Sequence, residues 1–190
     1  MSIWLIIILL LIILVVLYTA VTYNGLVKGK KSVLEASSAI DIQLKHRNDL
    51  IPNLLETVNK YASNEKIVLG DVSKTRDLSQ ATLDSNADLD EKLAASNDLT
   101  SALSRLITVT EAYPDLKDNA DFDKLMKELS NDEDKISYTR QMFNSNSINF
   151  NNSIQQFPAN LVAQAFKFTS FKLLKTDEEE KAAPKANFKA

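Results

Sequence analysis

The chain has 190 residues, a formal net charge of −3, three glycines, four prolines and no cysteine. The lack of cysteine excludes disulfide scaffolds, thiolate metal sites and thiol nucleophiles, and the lack of a basic excess argues against nucleic acid as a partner. Because glycine and proline both interrupt helices, their scarcity favours long helices, and the length suits one domain with its own core.

The first predicted element is an apolar run from Ile3 to Val21 without a charged residue. In a helix, at about 1.5 Å per residue, this run covers the roughly 30 Å hydrocarbon core of a bilayer. Trp4 lies near one end, and Tyr18 and Tyr23 lie near the other, where aromatic rings settle at the headgroup level. A cleaved signal peptide would need a positively charged leader and a small-residue cleavage site. Since neither is present, we expect an uncleaved transmembrane anchor.

The charges that flank the run predict its orientation. Lys28, Lys30 and Lys31 follow it closely, whereas no charged residue precedes it. Because positive charges are retained on the cytoplasmic side of a membrane, we expect the N-terminus outside and the rest of the chain in the cytoplasm.

The first helix of the soluble part is predicted to continue from the anchor to Tyr61. Pro52 removes one internal hydrogen bond and predicts a bend near Asn48. Apolar or small residues, with Arg47 as the exception, recur along this helix at alternating spacings of four and three. They are Val33, Ser37, Ile40, Leu44, Arg47, Ile51, Leu54, Val58 and Tyr61.

Two shorter helices are predicted next. One runs from about 65 to 83, after a polar turn at 62 to 64. The other follows a polar linker at 84 to 90, which is rich in residues that cap helices, and ends at Pro114.

The fourth helix has the strongest periodic pattern of the soluble part. The pattern comprises Phe122, Met126, Leu129, Glu133, Ile136, Arg140, Phe143, Ser147, Phe150, Ile154 and Phe157. No helix can bury its apolar stripe alone, so we predict an all-α fold, in which the N-terminal transmembrane helix precedes an antiparallel bundle of about four long helices. The anchor takes residues 1–24 and the bundle residues 25–175, and an acidic, poorly ordered tail takes residues 176–190.

Five segments, in order along the chain, resemble the motifs of the LemA family of bacterial membrane proteins. Residues 42–53, IQLKHRNDLIPN, are similar to the family's hallmark QLKRRxDLIPNLV stretch. YNGLV at 23–27 and EDKISYTR at 133–140 resemble its YNxLV and ENxIxxAR motifs. The segment at 143–163, FNSNSINFNNSIQQFPANLVA, and PKANF at 184–188 resemble its last two motifs.

The resemblance covers nearly the whole chain. It implies an N-terminal anchor in the bacterial cell membrane, a mostly helical domain, no established catalytic activity, and an association with membrane quality control and membrane shape. Two residues depart from the pattern: His46 stands where the family usually has Arg, and Thr139 where it usually has Ala.

Charged residues on core-facing stripes form the first candidate site. Arg47, Glu133 and Arg140 occupy such positions, and Asp49 lies close to Arg47 in sequence. Buried charges must pair, so these four residues predict a network between helices. The network is either an ordinary set of interhelical salt bridges or a binding site or register lock, and in the second case Arg47→Met should abolish unique packing.

The second candidate site is a surface for contact with lipid or with another copy of the chain. Asparagine is a mediocre helix former, so the asparagines of the fourth helix indicate hydrogen bonds either across the bundle or between protomers. The segment after them, FPANLVAQAFKF, either caps the end of the bundle or docks on lipid or on a neighbouring copy. The predicted surface comprises Asn144, Asn151, Phe157, Pro158, Asn160, Leu161, Phe166 and Phe168.

Catalysis is not expected. His46 is the sole histidine, and we interpret it as a surface residue, because a catalytic or metal site needs several convergent groups. We therefore predict no cofactor and no enzyme activity. The favoured function is a scaffold that self-associates at the lipid bilayer and organises or shapes it. The alternative is an adaptor for a membrane protease or other envelope quality-control machinery, with the acidic tail as its contact.

Overall fold

The computed structural model describes residues 3–175, and its longest element is helix α1, Ile3–Tyr61. This helix of 59 residues joins the predicted anchor and the first bundle helix without a break. Within the described residues it is the one helix long and apolar enough to cross a membrane, and its apolar segment is not buried against the rest of the protein. The boundary expected at residue 24 therefore lies inside one continuous helix.

Five further helices follow in the described part, which contains no strand: α2 Lys66–Asp84, α3 Leu89–Thr110, α4 Pro114–Lys117, α5 Ala120–Gln155 and α6 Ala159–Ala165. α5 packs against α1 over most of its length, and α2 and α3 pack as a pair on the far half of α1. The predicted all-α fold, an apolar N-terminal helix followed by packed helices, is confirmed. The acidic tail expected at residues 176–190 lies outside the described residues.

The start of α3 follows from local capping chemistry. The Asp88 side chain accepts a hydrogen bond from the Glu91 backbone N–H at 2.8 Å, and the Glu91 side chain accepts one from the Asp88 N–H at 3.2 Å. This capping box satisfies two of the backbone donors that a helix N-terminus leaves unpaired. The polar linker before α3 thus ends at a defined residue.

The end of α3 differs from the sequence prediction. Pro114 does not stop this helix, which already ends at Thr110; instead, Pro114 is the first residue of the short helix α4. A proline is well suited to that position, because the N–H that it lacks would have had no partner within the helix.

Two large apolar clusters form most of the core, and a small third one joins α6 to α1. The distal cluster lies farther from the anchor, combines α1 to α5 and includes Ile51, Leu99 and Leu116. The proximal cluster combines mainly α1, α5 and the segment after α6, and includes Ile40 and Phe143. The predicted stripes of α1 and α5 therefore supply much of the core.

The predicted α5 stripe needs a shift of one residue at two positions, and its last member, Phe157, lies beyond the end of α5 and is exposed. Asp132 and Thr139 are buried, whereas Glu133 is exposed and Arg140 is half-buried. Starting from Leu129, steps of three and then four residues follow the helix period of 3.6 as well as steps of four and then three. The sequence pattern alone therefore did not distinguish the two choices.

Pro52 lies within α1 and leaves the carbonyl of Asn48 without its helical partner. Arg76 of α2 takes the place of that partner, since its Nε donates to the Asn48 oxygen at 3.2 Å. The buried Asn48 side chain also donates to Ser79 at 3.2 Å and to Gln80 at 3.4 Å. The proline thus creates an acceptor in α1 that helps to hold α2.

The close approach of α1 and α5 depends on Gly29. A Cβ atom at this position would lie 3.1 Å from Phe150 Cδ2, whereas a Cβ atom at Gly25, one turn earlier, would meet nothing within 4 Å.

We expect Gly25→Ala to raise the free energy of unfolding by about 1 kcal/mol, the usual difference in helix propensity. Gly29→Ala should give little or none of this gain, because Phe150 must shift. Thermal melting of the purified full-length protein tests this, and equal stabilisation by both variants would contradict the contact.

Candidate functional site

Arg47 lies at the centre of the bundle, where three elements meet. It is buried, and its guanidinium donates to Ser96 Oγ at 3.1 Å and to Thr100 Oγ1 at 2.8 Å, both on α3. Its Nη1 lies 3.0 Å from Glu133 Oε2 on α5. Burial lowers the pKa of Arg47, while the charges of Glu133 and Asp132 act in the opposite direction. The arginine therefore joins α1, α3 and α5 through directed hydrogen bonds.

Beside this group, His46 contacts the fully buried Asp132. The distance from His46 Nδ1 to Asp132 Oδ2 is 2.6 Å, and the His46 side chain is 54% exposed. Lys135 Nζ lies 3.6 Å from the other carboxylate oxygen, which has no hydrogen-bond partner among the described residues. His46 is thus on the surface, as expected. It also forms a hydrogen bond with a buried carboxylate, which we did not predict.

Only part of the predicted charge network is brought together. Arg47 and Glu133 pair, but Asp49 is exposed and lies away from the cluster. Arg140 Nη2 donates to the backbone oxygen of Lys175 at 2.9 Å. Asp49 is two residues past Arg47. A shift of two residues rotates a side chain by about 200° around the helix axis. It therefore faces away from the partners of Arg47.

The predicted anchor residues all lie on the exposed N-terminal part of α1. Ile3, Trp4 and Val21 are strongly exposed. The Tyr23 ring, by contrast, contacts the rings of Phe166 at 4.6 Å and Phe168 at 5.8 Å between centroids. Tyr23 therefore links the predicted anchor to the segment that returns from α5.

Two asparagines of α5 hold an extended segment, residues 168–175, which we call the strap. Asn151 donates to the Phe171 oxygen at 2.8 Å and accepts from the Phe171 N–H at 2.8 Å. Asn144 repeats this pattern with Leu174, at 3.1 and 2.9 Å. Seven helical residues and three extended residues both span about 10 Å. The strap therefore runs antiparallel to α5, and these two asparagines bond within the chain.

Apolar packing and one ion pair add to these hydrogen bonds. The rings of Phe168 and Phe171 pack edge-on against Phe150, with centroids 6.2 and 5.5 Å away, and Leu174 is buried in the proximal cluster. Lys172 pairs with Asp90 of α3, and this hydrogen bond raises the pKa of Lys172. Phe168, predicted as a contact surface, is thus largely part of the core.

α6 lies beside the apolar segment of α1. Its residues Val162 and Ala163 are buried with Leu26 of α1. Asn160 is half-buried, and its Oδ1 has no hydrogen-bond partner among the described residues. A groove of about 510 Å³ separates α6 from α1 and is lined by Leu14, Val15, Tyr18, Thr19, Pro158, Leu161, Val162, Ala165 and Phe166.

Three apolar side chains in and around α6 remain uncovered. Phe157 is 81% exposed, Leu161 is 58% exposed and Phe166 is 52% exposed. We call these three residues the membrane-proximal face. They are the large hydrophobic side chains of the predicted contact surface that stay exposed, and Pro158 between them is exposed as well.

The architecture defines a class of protein: a helical bundle continuous with a candidate membrane-spanning N-terminal helix. In residues 3–175 no group of three or more His, Cys, Asp or Glu is placed to hold a metal ion. The LemA family model matches residues 36–188, and the chain therefore belongs to the LemA family. Protein LemA of Metamycoplasma hominis is 26% identical over 159 residues, which cover 83% of this chain and 71% of that protein.

The family match begins after the apolar segment and extends over the bundle and beyond the strap. It therefore includes the charged cluster, both strap asparagines and α6. The LemA family is not a known enzyme family.

We predict that His46 stabilises the buried Asp132 carboxylate. His46→Ala should lower the free energy of unfolding by about 1–3 kcal/mol, because a buried acceptor would lose its hydrogen-bond partner. Since the contact is direct, the loss in the double variant with Asp132→Asn should be smaller than the sum of the single losses. Denaturant unfolding measures all three, and Lys45→Ala, at the exposed neighbouring position, is the control. Strict additivity would show that the pair is not coupled.

We also predict that Asn144 and Asn151 protect the strap from hydrogen exchange. Replacing both with Leu should accelerate exchange at the amides of Phe171 and Leu174 roughly tenfold or more, since each lost hydrogen bond contributes about 1 kcal/mol. Hydrogen-exchange mass spectrometry of the full chain measures this. Asn152→Leu makes the same change at an exposed position of the same helix and should leave the strap protected. Unchanged protection in the double variant would contradict the two asparagine pairs.

Proposed function

We propose that this LemA-family protein is a non-enzymatic, single-pass scaffold of the bacterial cell membrane. In this proposal the N-terminus is outside, the bundle lies on the cytoplasmic side, and copies associate side by side through their bundles to organise or shape the bilayer. The observation that carries the proposal is that α1 runs unbroken from the apolar segment into the centre of the bundle.

The unbroken helix supports a scaffold for a mechanical reason. A flexible linker would let the bundle reorient independently of its anchor. Here residues 3–61 form one helix, and α5 packs against the part of it that follows the apolar segment. Contacts between neighbouring bundles would therefore set the positions and tilts of the attached spans, and many copies would impose a common geometry on the bilayer.

Exposed apolar residues on the bundle support lateral contacts. Ile42 on α1 and Tyr138 on α5 are large, strongly exposed side chains outside the anchor. Burial of such side chains between copies would contribute favourable free energy at about 25 cal/mol per Å² of apolar surface. Whether copies form closed rings or open filaments depends on the symmetry of that contact.

The adaptor alternative is supported by the position at which the tail begins. Arg140 and Asn144 bind the end of the strap on the side of α5, so the chain is held at a defined point of the bundle up to residue 175. In the sequence that follows, four acidic residues occur together at 177–180. A membrane protease or another envelope protein that recognises this tail would find the bundle beside it.

The size and shape of the full-length protein test the scaffold. We expect large, regular assemblies in native membranes and gentle detergent, measured by light scattering and by electron microscopy of the same sample. The double variant Ile42→Glu and Tyr138→Glu should reduce assembly without lowering the melting temperature, since both residues are exposed. Asn64→Glu, in the exposed turn before α2, adds charge without removing apolar surface and is the control.

Deletion of residues 176–190 separates the scaffold from the adaptor. A scaffold should still assemble after the deletion, whereas an adaptor should lose its partner in a cross-linking experiment in cells. A monomeric full-length protein in both native membranes and detergent would contradict the scaffold.

A further inference from the structure

α6 lies at a depth that belongs to the apolar segment. The groove beside it reaches Leu14 and Val15 of α1. Leu14 is seven residues before Val21, where the uncharged run ends, which corresponds to about 10 Å along the helix axis. If α1 spans a bilayer with this run, α6 cannot lie entirely in water.

The chain around α6 is chemically suited to that depth. No charged residue occurs from Gln141 to Phe166, and none occurs on α1 from Ile3 to Val27. Because α1 and α5 are antiparallel, these two uncharged stretches meet at the same end of the bundle. Residues 150–166 therefore present amide, hydroxyl and apolar groups without charges that would oppose insertion, whereas Lys28, Lys30 and Lys31 lie on α1 at the level of Phe150, where the charged part of the bundle begins.

The turn after α6 places a cation at the border of this region. Lys167 has a φ of 57°, and the Phe168 N–H donates to the Ala163 oxygen at 2.9 Å. This is the hydrogen bond of a Schellman motif, which usually has glycine in the left-handed position. Lys167 directly follows Phe166, whose ring contacts Tyr23 just past the uncharged run, so its long side chain can extend toward lipid phosphates.

We propose that the membrane-proximal face, Phe157, Leu161 and Phe166, inserts into the same leaflet as the C-terminal end of the span. The occupant of this face is the lipid at the boundary of headgroups and acyl chains, about 5–10 Å deep, where amphipathic interfacial helices lie. This inference rests on the proposed membrane anchoring and adds a second, shallow lipid contact to it.

Lipid suits this face better than a second copy of the chain because the face is continuous with the span. α6 is attached to α1 at Leu26 and Tyr23, directly beyond the run, and its exposed side chains extend the apolar surface of that helix. Because the strap and α5 hold both ends of α6, the insertion would be rigid. It would add volume to one leaflet alone, and this asymmetry favours curvature.

Quenching by brominated lipids tests the insertion. The chain has a single tryptophan, so Trp4→Phe with Leu161→Trp reports on α6, and Trp4→Phe with Tyr138→Trp reports on an exposed site of α5. In phosphatidylcholine vesicles that contain the full-length protein, we expect lipids brominated near the headgroup end of the acyl chain to quench roughly half of the emission at position 161. Position 138 should remain unquenched.

The wild-type Trp4 separates failure of this inference from failure of the anchor. If Trp4 is quenched and position 161 is not, the span inserts but α6 does not, and the inference is wrong. If Trp4 itself is unquenched by lipids brominated at any depth, the proposed membrane anchoring fails. A third outcome is that brominated lipids do not quench the emission at position 161, while this emission shifts to the blue as the protein-to-lipid ratio rises. That result would indicate a contact between copies and would also overturn the lipid contact.

Discussion

The antiparallel pairing of α1 with α5 determines where every other part of the structure lies. Gly29 faces Phe150 near the anchor, and Asn146 donates to the Ser32 oxygen at 3.1 Å one turn farther on. His46 and Asp132 meet in the middle of the bundle. Because α5 runs opposite to α1 and is about as long as the part of α1 that follows the apolar segment, it returns the chain to the end of that segment. α6 therefore lies beside the apolar segment, and the strap then runs back along α5.

Polar groups buried along this pairing define its register. Apolar stripes tolerate sliding by a turn, since one leucine replaces another at similar cost, whereas hydrogen bonds of fixed geometry do not. Arg47 binds two hydroxyls and one carboxylate on two other helices. The side chain of Asn48 donates a hydrogen bond to α2, and its backbone carbonyl accepts one from Arg76. The buried polar residues thus act as position markers between helices whose apolar contacts are less selective.

The parts of the fold that repeat along the chain were predictable from sequence, and the parts held by single contacts were not. The candidate span and most of the stripes of α1 and α5 follow from composition and spacing, and the linker before α3 was recognisable from its capping residues. The burial of Asp132 was missed because a shift of one residue preserves the α5 period. Its contact with His46 was missed for the same reason. The strap was missed because it has no period of its own. The spacing of seven residues between Asn144 and Asn151, which puts both on one face of α5, was the available signal.

The strap explains why α6 can be short. Seven residues form less than two full turns, and a helix of that length is marginal in water by itself. α6 is instead fixed from both sides, since α5 leads into it directly and the strap leaves it through Lys167 toward Asn151. The protein can therefore leave Phe157, Leu161 and Phe166 exposed without losing the position of the helix that carries them. Exposed apolar side chains on a firmly held segment, beside the candidate membrane-spanning part of α1, are what the proposed bilayer contact requires.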